Sequence, residues 1–199
     1  GEPLSRFTAP SLLLLLMAAV EENFSTSSLR SLFSHHLSRF GFERAGFSAA
    51  ARKVEVALFR SSPMIHGLEG LLPSFDLAFA NSKGEAHPHP IVANLSEDDC
   101  REMRDCLARV VEILGPLSHP AVTSLTMHLD GLISVAENIS GDGFWDGVES
   151  DALEELIETL LREAPRLPAC DFARASATIR RHLQRLPVRD TRNTVTRLA

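Results

Sequence analysis

Leu12 to Val20 is an unbroken apolar run, introduced by Pro10-Ser11 and closed by Glu21-Glu22. Such a segment predicts a helix buried on nearly every side. Leu29, Leu32, Phe33, His36, Leu37 and Phe40 then follow the three-and-four spacing of one helical stripe. They predict a second helix capped by Ser27 and ended by Gly41. Phe47, Ala51, Val54, Ala57 and Leu58 form a third stripe, opened at Ser48 and broken by Ser61-Ser62-Pro63. Between Met64 and Ala80 the pattern weakens. Gly67, Gly70 and Pro73 allow only short helices there, and 74–80 reads equally as helix or extended chain. Residues 81–90 (NSKGEAHPHP) are the clearest loop, and the interval 81–95 is the candidate subdomain boundary.

The second half is more regular. Ser96 with Asp99 three residues on resembles a capping box, and Glu97, Asp98 and Asp99 suit the positive end of a helix dipole. Cys100, Met103, Leu107, Val110, Val111 and Leu114 form the stripe behind them, stopped by Gly115-Pro116. Pro120 opens a helix with Val122, Leu125, Leu129, Leu132, Ile133, Ala136 and Ile139 inward, followed by a loop over 141–147. Asp151 with Glu154 caps a helix carrying Leu153, Leu156, Ile157, Leu160 and Leu161. Asp171 caps the last, with Phe172, Ala175, Ile179, Leu183 and Leu186 inward. No strand is predicted. The expectation is an all-α protein, a compact multi-helix bundle or short helical stack of seven to eight helices. The helical domain covers 11–186, after a flexible N-terminus or tag remnant (1–10) and before a flexible basic tail (187–199).

Charge sharpens this picture. Residues 97–163 hold sixteen acids against four arginines, whereas 172–199 hold seven arginines against one acid. Only Lys53 and Lys83 are lysines, so the basic residues are almost all planar, bidentate donors. The run at 12–20 is too short to span a bilayer. Cys100, Cys106 and Cys170 are odd in number and lack a CxxC pair. They read as free thiols of a reducing, intracellular compartment rather than a disulfide framework or zinc knuckle. The sequons at Asn23, Asn94 and Asn138 open a secreted, glycosylated alternative, set against structural use of Ser96 and Ser140.

Candidate chemistry is sparse. GDGFWDGVESDAL from Gly141 partly mimics a calcium loop, with Asp142, Asp146, Gly147 and Ser150 in register. Phe144 and Leu153 stand where oxygen ligands belong. His87 and His89 flank Pro88 without a third ligand nearby. There is no nucleophile elbow and no phosphate-binding glycine loop. No cofactor is implied, and the chain reads as non-enzymatic. Phe144 and Trp145 either fold back over a core edge or anchor a partner. The acids Glu97, Asp98, Glu102, Asp105, Glu154, Glu155 and Glu158 would attract a basic or amphipathic segment of another protein. Arg174, Arg181 and Arg185 share one face of the last helix. They read as a solvated face, a match to acidic helices, or a nucleic-acid contact, the last disfavoured by the acidic pI of about 5.7.

Two segments resemble the helical modules of transcription elongation factor TFIIS and its relatives. Ala51 to Arg60, then Asn81-Ser82-Lys83, then Ile91 to Met103, follow the order of landmarks in that family's central domain. Val111 to Leu114 through Val122-Thr123, with Ser150 to Ile157, resemble its N-terminal bundle, which docks disordered peptides of transcription regulators. The modules stand in reversed order. The basic run expected between Phe59 and Asn81 is reduced to Arg60, and no zinc ribbon with its acidic pair is present. The resemblance therefore implies peptide docking in the nucleus, not stimulation of transcript cleavage. Together these readings predict a protein-interaction adaptor without a membrane span.

Overall fold

The computed structural model describes residues 2–59, 65, 67–82 and 94–187. Among them are eight α-helices and no strand: α1 (Thr8–Glu21), α2 (Thr26–Ser34), α3 (Arg44–Val54), α4 (Leu71–Ser82), α5 (Glu97–Leu114), α6 (Leu125–Ser140), α7 (Ser150–Glu163) and α8 (Phe172–Arg185). They form the expected all-α bundle. One hydrophobic core runs from Leu4 to Leu183 and includes residues on both sides of the 81–95 interval. Asn81 and Ser82 of the predicted loop 81–90 belong to α4; its remainder, 83–90 with His87 and His89, and the tail beyond Pro187 lie outside the described residues. No helix here is long and apolar enough to cross a membrane.

The apolar run becomes the central helix. Leu12, Leu13, Leu16, Met17 and Ala19 of α1 are all buried, and α1 packs on α2, α6 and α8. Such burial requires its terminal backbone groups to find partners inside the protein. Its N-cap is Phe7, which offers no side-chain acceptor. Glu149, 140 residues later, supplies one: its Oε1 accepts the Ala9 N–H at 3.1 Å. Glu149 and Ala9 are both nearly inaccessible. At the other end, Glu21 accepts from Ser176 Oγ at 2.5 Å and from Arg180 Nη2 at 2.7 Å, fastening α1 to α8.

Several boundaries differ from expectation, each for a stated reason. The segment 1–10 is not a loose lead-in. Leu4 is fully buried and its N–H donates to the Leu186 carbonyl at 2.8 Å, so residues 3–6 close against the end of α8. Ser25, not Ser27, caps α2. That helix stops at Ser34 because the Ser38 hydroxyl and the His35 N–H both take the Leu32 carbonyl, and the chain turns away. Phe40 still reaches the core, through a loop held by N–H bonds from Arg39 and Phe40 to the Ile139 carbonyl. Its φ of 48° is an unfavourable region for an aromatic residue, offset by complete burial of the ring. Helix α3 starts at Arg44 and widens into a π turn at Glu55–Phe59, which buries Leu58 and Phe59. The ambiguous 74–80 stretch is helical within α4.

The capping box at Ser96 and Asp99 is present, with bonds of 3.0 and 2.9 Å. Lys53 of α3 also pairs with Asp99. That cation, ahead of the Ser96 hydrogen bonds, holds the Asp99 carboxyl well below the usual carboxylate range. Helix α6 begins at Leu125 rather than Pro120, because Thr123 pairs in both directions with Cys170 and keeps the chain extended up to the Ser124 cap. Val122 is therefore exposed. Asp171 caps α8 as its position predicts. Asp151 does not cap α7, whose N-cap is Glu149.

The serine of each sequon is engaged. Ser25 and Ser96 are N-caps, and the Ser140 hydroxyl donates to the Ala136 carbonyl. Cys100 and Cys106 are buried and neither forms a disulfide, and burial pushes the Cys106 thiol up to about 11.

Glu149→Ala leaves the Ala9 N–H buried without an acceptor and should cost about 1–3 kcal/mol in chemical denaturation. Glu149→Gln keeps an acceptor and should recover part of that loss. A cost below about 0.5 kcal/mol, the range of an ordinary surface change, would contradict the assignment.

Candidate functional site

Phe144 cannot serve as the exposed anchor among the predicted partner-binding residues. Its ring is fully buried, and Trp145 packs edge-on against it with centroids 4.7 Å apart. Trp145 is half-buried, and its Nε1–H donates to Glu137 at 2.8 Å. The pair closes the edge of the core beneath the loop between α6 and α7, the first of the two alternatives. That loop is not arranged as an ion site. Ser150 donates its hydroxyl to the Trp145 carbonyl, and Glu149 turns inward to α1. A Cβ on Gly147 would meet the Glu149 carboxylate at 2.2–2.6 Å, so any larger residue there would displace the acceptor that Ala9 uses. No cluster of three or more metal-ligating side chains occurs among the described residues.

The other predicted residues do reach solvent. Helix α7 buries Leu153, Leu156 and Leu160 and packs mainly on α6. Its opposite side exposes Glu154, Glu155 and Glu158, none of which has an ion-pair partner among the described residues. Val148 and Leu167, at the two ends of α7, are 62% and 48% exposed. Arg174, Arg181 and Arg185 lie exposed on α8, likewise without ion pairs, whereas Arg180 is bound to Glu21. The acids of α5 are partly satisfied close by: Asp98 by Arg101, Asp99 and Glu102 by Lys53, and Glu112 by Arg109. Glu97 and Asp98 are exposed on its first turn, and Glu102 and Asp105 further along. The acidic middle and the arginines of α8 thus do not neutralise each other among the described residues.

Sequence reasoning missed a cleft of about 160 Å3 between α2 and α3. Phe33, Phe47 and Phe59 form its floor, with Phe33 at 5.5 and 5.6 Å from the other two rings. Arg30, Arg44 and Arg52 stand around it. Arg30 pairs with Glu55 at 2.9 Å. Arg44 donates to the His36 carbonyl, and Arg52 Nε to the Ser48 carbonyl at 3.3 Å. Neither has a carboxylate partner among the described residues. No sequence signal marks this cleft, because its arginines lie on separate elements and follow no motif.

His35 forms one wall. Its Nδ1 accepts the Leu37 N–H at 3.2 Å, so the neutral ring carries its proton on Nε2 and donates it to Ser11 Oγ at 2.9 Å. Ser11 in turn donates to the Thr8 carbonyl on α1. Burial, then the charges of His36 and Arg44, hold the imidazole below its ordinary value of 6.5. No protein-family model matches this chain, and no curated protein or solved structure matches it either.

The folded ring binds its proton less tightly than the unfolded one, so the unfolded state gains more protons as pH falls below about 6.5. Stability should therefore drop through that window and level off below the folded value. Denaturation of His35→Gln across the same range should show a shallower fall than the wild type. Equal slopes would contradict the His35 arrangement.

Proposed function

We propose that this chain is a non-enzymatic protein-interaction module, an adaptor that docks a basic, amphipathic peptide or helix of a partner protein. The observation that carries this reading is the outer side of α7. Three glutamates stand there exposed and unpaired among the described residues, and an exposed aliphatic residue lies at each end of the helix. A charged row flanked by apolar contacts suits a helix that lays one side on the protein and presents arginine or lysine around it. Rim charges of this kind act chiefly on association rate and partner choice. The resemblance to TFIIS modules supports the same direction, a transcription-associated, nuclear adaptor, since peptide docking is what it implies.

A second reading, from a different class, is nucleic-acid binding through Arg174, Arg181 and Arg185. The specific observation behind it is that all three are exposed and unpaired on one helix. Phosphate contacts by these arginines would make log affinity linear in log salt.

Capture of partners from the native source, with and without nuclease, separates the two. The docking reading expects a protein retained after nuclease treatment, with affinity that falls as salt rises. Glu154→Lys, Glu155→Lys and Glu158→Lys together should weaken that retention by about tenfold or more while leaving stability within about 0.5 kcal/mol per site. Retention unaffected by the triple change would overturn the assignment to α7. Retention lost on nuclease treatment, and abolished by Arg181→Glu with Arg185→Glu, would replace it with the second reading.

A further inference from the structure

We propose that the cleft between α2 and α3 binds a phosphate monoester group, held by Arg44 and Arg52. This inference is independent of the docking surface on α7.

The argument starts from charge. Three guanidinium groups line the cleft and one carboxylate faces them. Glu55 offsets Arg30 through their 2.9 Å contact, which leaves Arg44 and Arg52 as two positive charges without an anion among the described residues. A phosphate monoester carries about −1.5 to −2 charges at neutral pH, so its charge matches that pair where a carboxylate would leave one in excess. Geometry adds to this. Arg44 is tethered through one N–H to the His36 carbonyl and Arg52 through Nε to the Ser48 carbonyl. Each anchored fork keeps further N–H donors for a ligand, and planar forks suit phosphate oxygens.

Size limits the rest of the ligand. A cavity of roughly 150 Å3 holds one benzene ring, and this cleft is similar, with three phenylalanine rings below it. The phosphate group can therefore come on a small aryl or sugar-sized body, or on a phosphorylated side chain of a peptide. His35 serves as the internal reporter. Both its ring nitrogens already have partners, so it does not hold the ligand. It does sense Arg44, whose charge helps depress it.

The test uses the full chain, with inorganic phosphate, phenyl phosphate and benzoate as probes, followed by NMR of the His35 ring. Saturable binding of phosphate or phenyl phosphate, weaker binding of benzoate and a rise in the His35 pKa are expected. Arg44→Gln with Arg52→Gln should weaken phosphate binding by about tenfold or more for each arginine, with unchanged far-UV circular dichroism. Arg44→Lys with Arg52→Lys, which keeps the charge and removes the fork, should retain part of it. A phosphotyrosine peptide that displaces phenyl phosphate assigns the group to a protein source; a peptide that fails to displace it assigns a small molecule. Absence of saturable binding by both phosphate probes would overturn the proposal. So would binding that survives the double glutamine change, which would place the anion on another surface such as α8.

Discussion

The structure depends on burying α1, and on giving that helix partners at both ends from the far end of the chain. An apolar helix buried among three others gains from every methylene removed from water, but its terminal N–H and C=O groups lose water as well. Local residues cannot satisfy the first turn, since Phe7 has no acceptor to offer. Glu149 fills that role from the loop before α7, with its negative charge at the positive end of the helix dipole. Glu21 anchors the other end to Ser176 and Arg180 of α8. A carboxylate from the start of α7 thus meets α1, a carboxylate of α1 meets α8, and Leu4 pairs with Leu186 at the end of α8.

That constraint explains what could be read in the sequence. Helix α5 was legible because its signal is local: Ser96, Asp99 and an apolar stripe lie within one segment. Helix α8 was legible for the same reason, through Asp171 and a regular row from Phe172 to Leu183. Phe40 misled, because its spacing extends the α2 stripe while its backbone sits in a left-handed turn pinned to α6. Glu149 is one of the sixteen acids of 97–163 with no local mark to set it apart, yet it is the one buried carboxylate among the described residues. Its role depends on a contact 140 residues away, for which periodicity carries no signal. The α2–α3 cleft was hidden for the same reason. Of the residues proposed for partner contact, the acids of α7 and the arginines of α8 emerge on the surface, and Phe144 belongs to the core.

The charge segregation along the chain has a spatial counterpart. Acids of α5 find cations on their own helix or on Lys53, and Arg180 finds Glu21. Among the described residues, Glu97 and Asp105 of α5 remain in water, together with a glutamate row on α7 and an arginine row on α8. Unpaired charges of one sign on a solvated helix cost little in stability and create a field that selects partners by complementarity. The α2–α3 cleft differs in kind, because its two unpaired arginines are tethered around a concave space. The molecule thus carries an acidic face on α7 and, at the α2–α3 cleft, a small cationic recess.

Native-state hydrogen exchange tests the central role of α1 most directly. If Glu149 seals its first turn and Glu21 holds its other end to α8, the amide of Ala9 and those of Leu12 to Val20 should exchange only through global unfolding. They should rank with the slowest in the molecule, and those of the peripheral α7 should exchange faster. An Ala9 amide that exchanges as rapidly as a frayed helix end, or an α1 that opens before α7, would contradict the account.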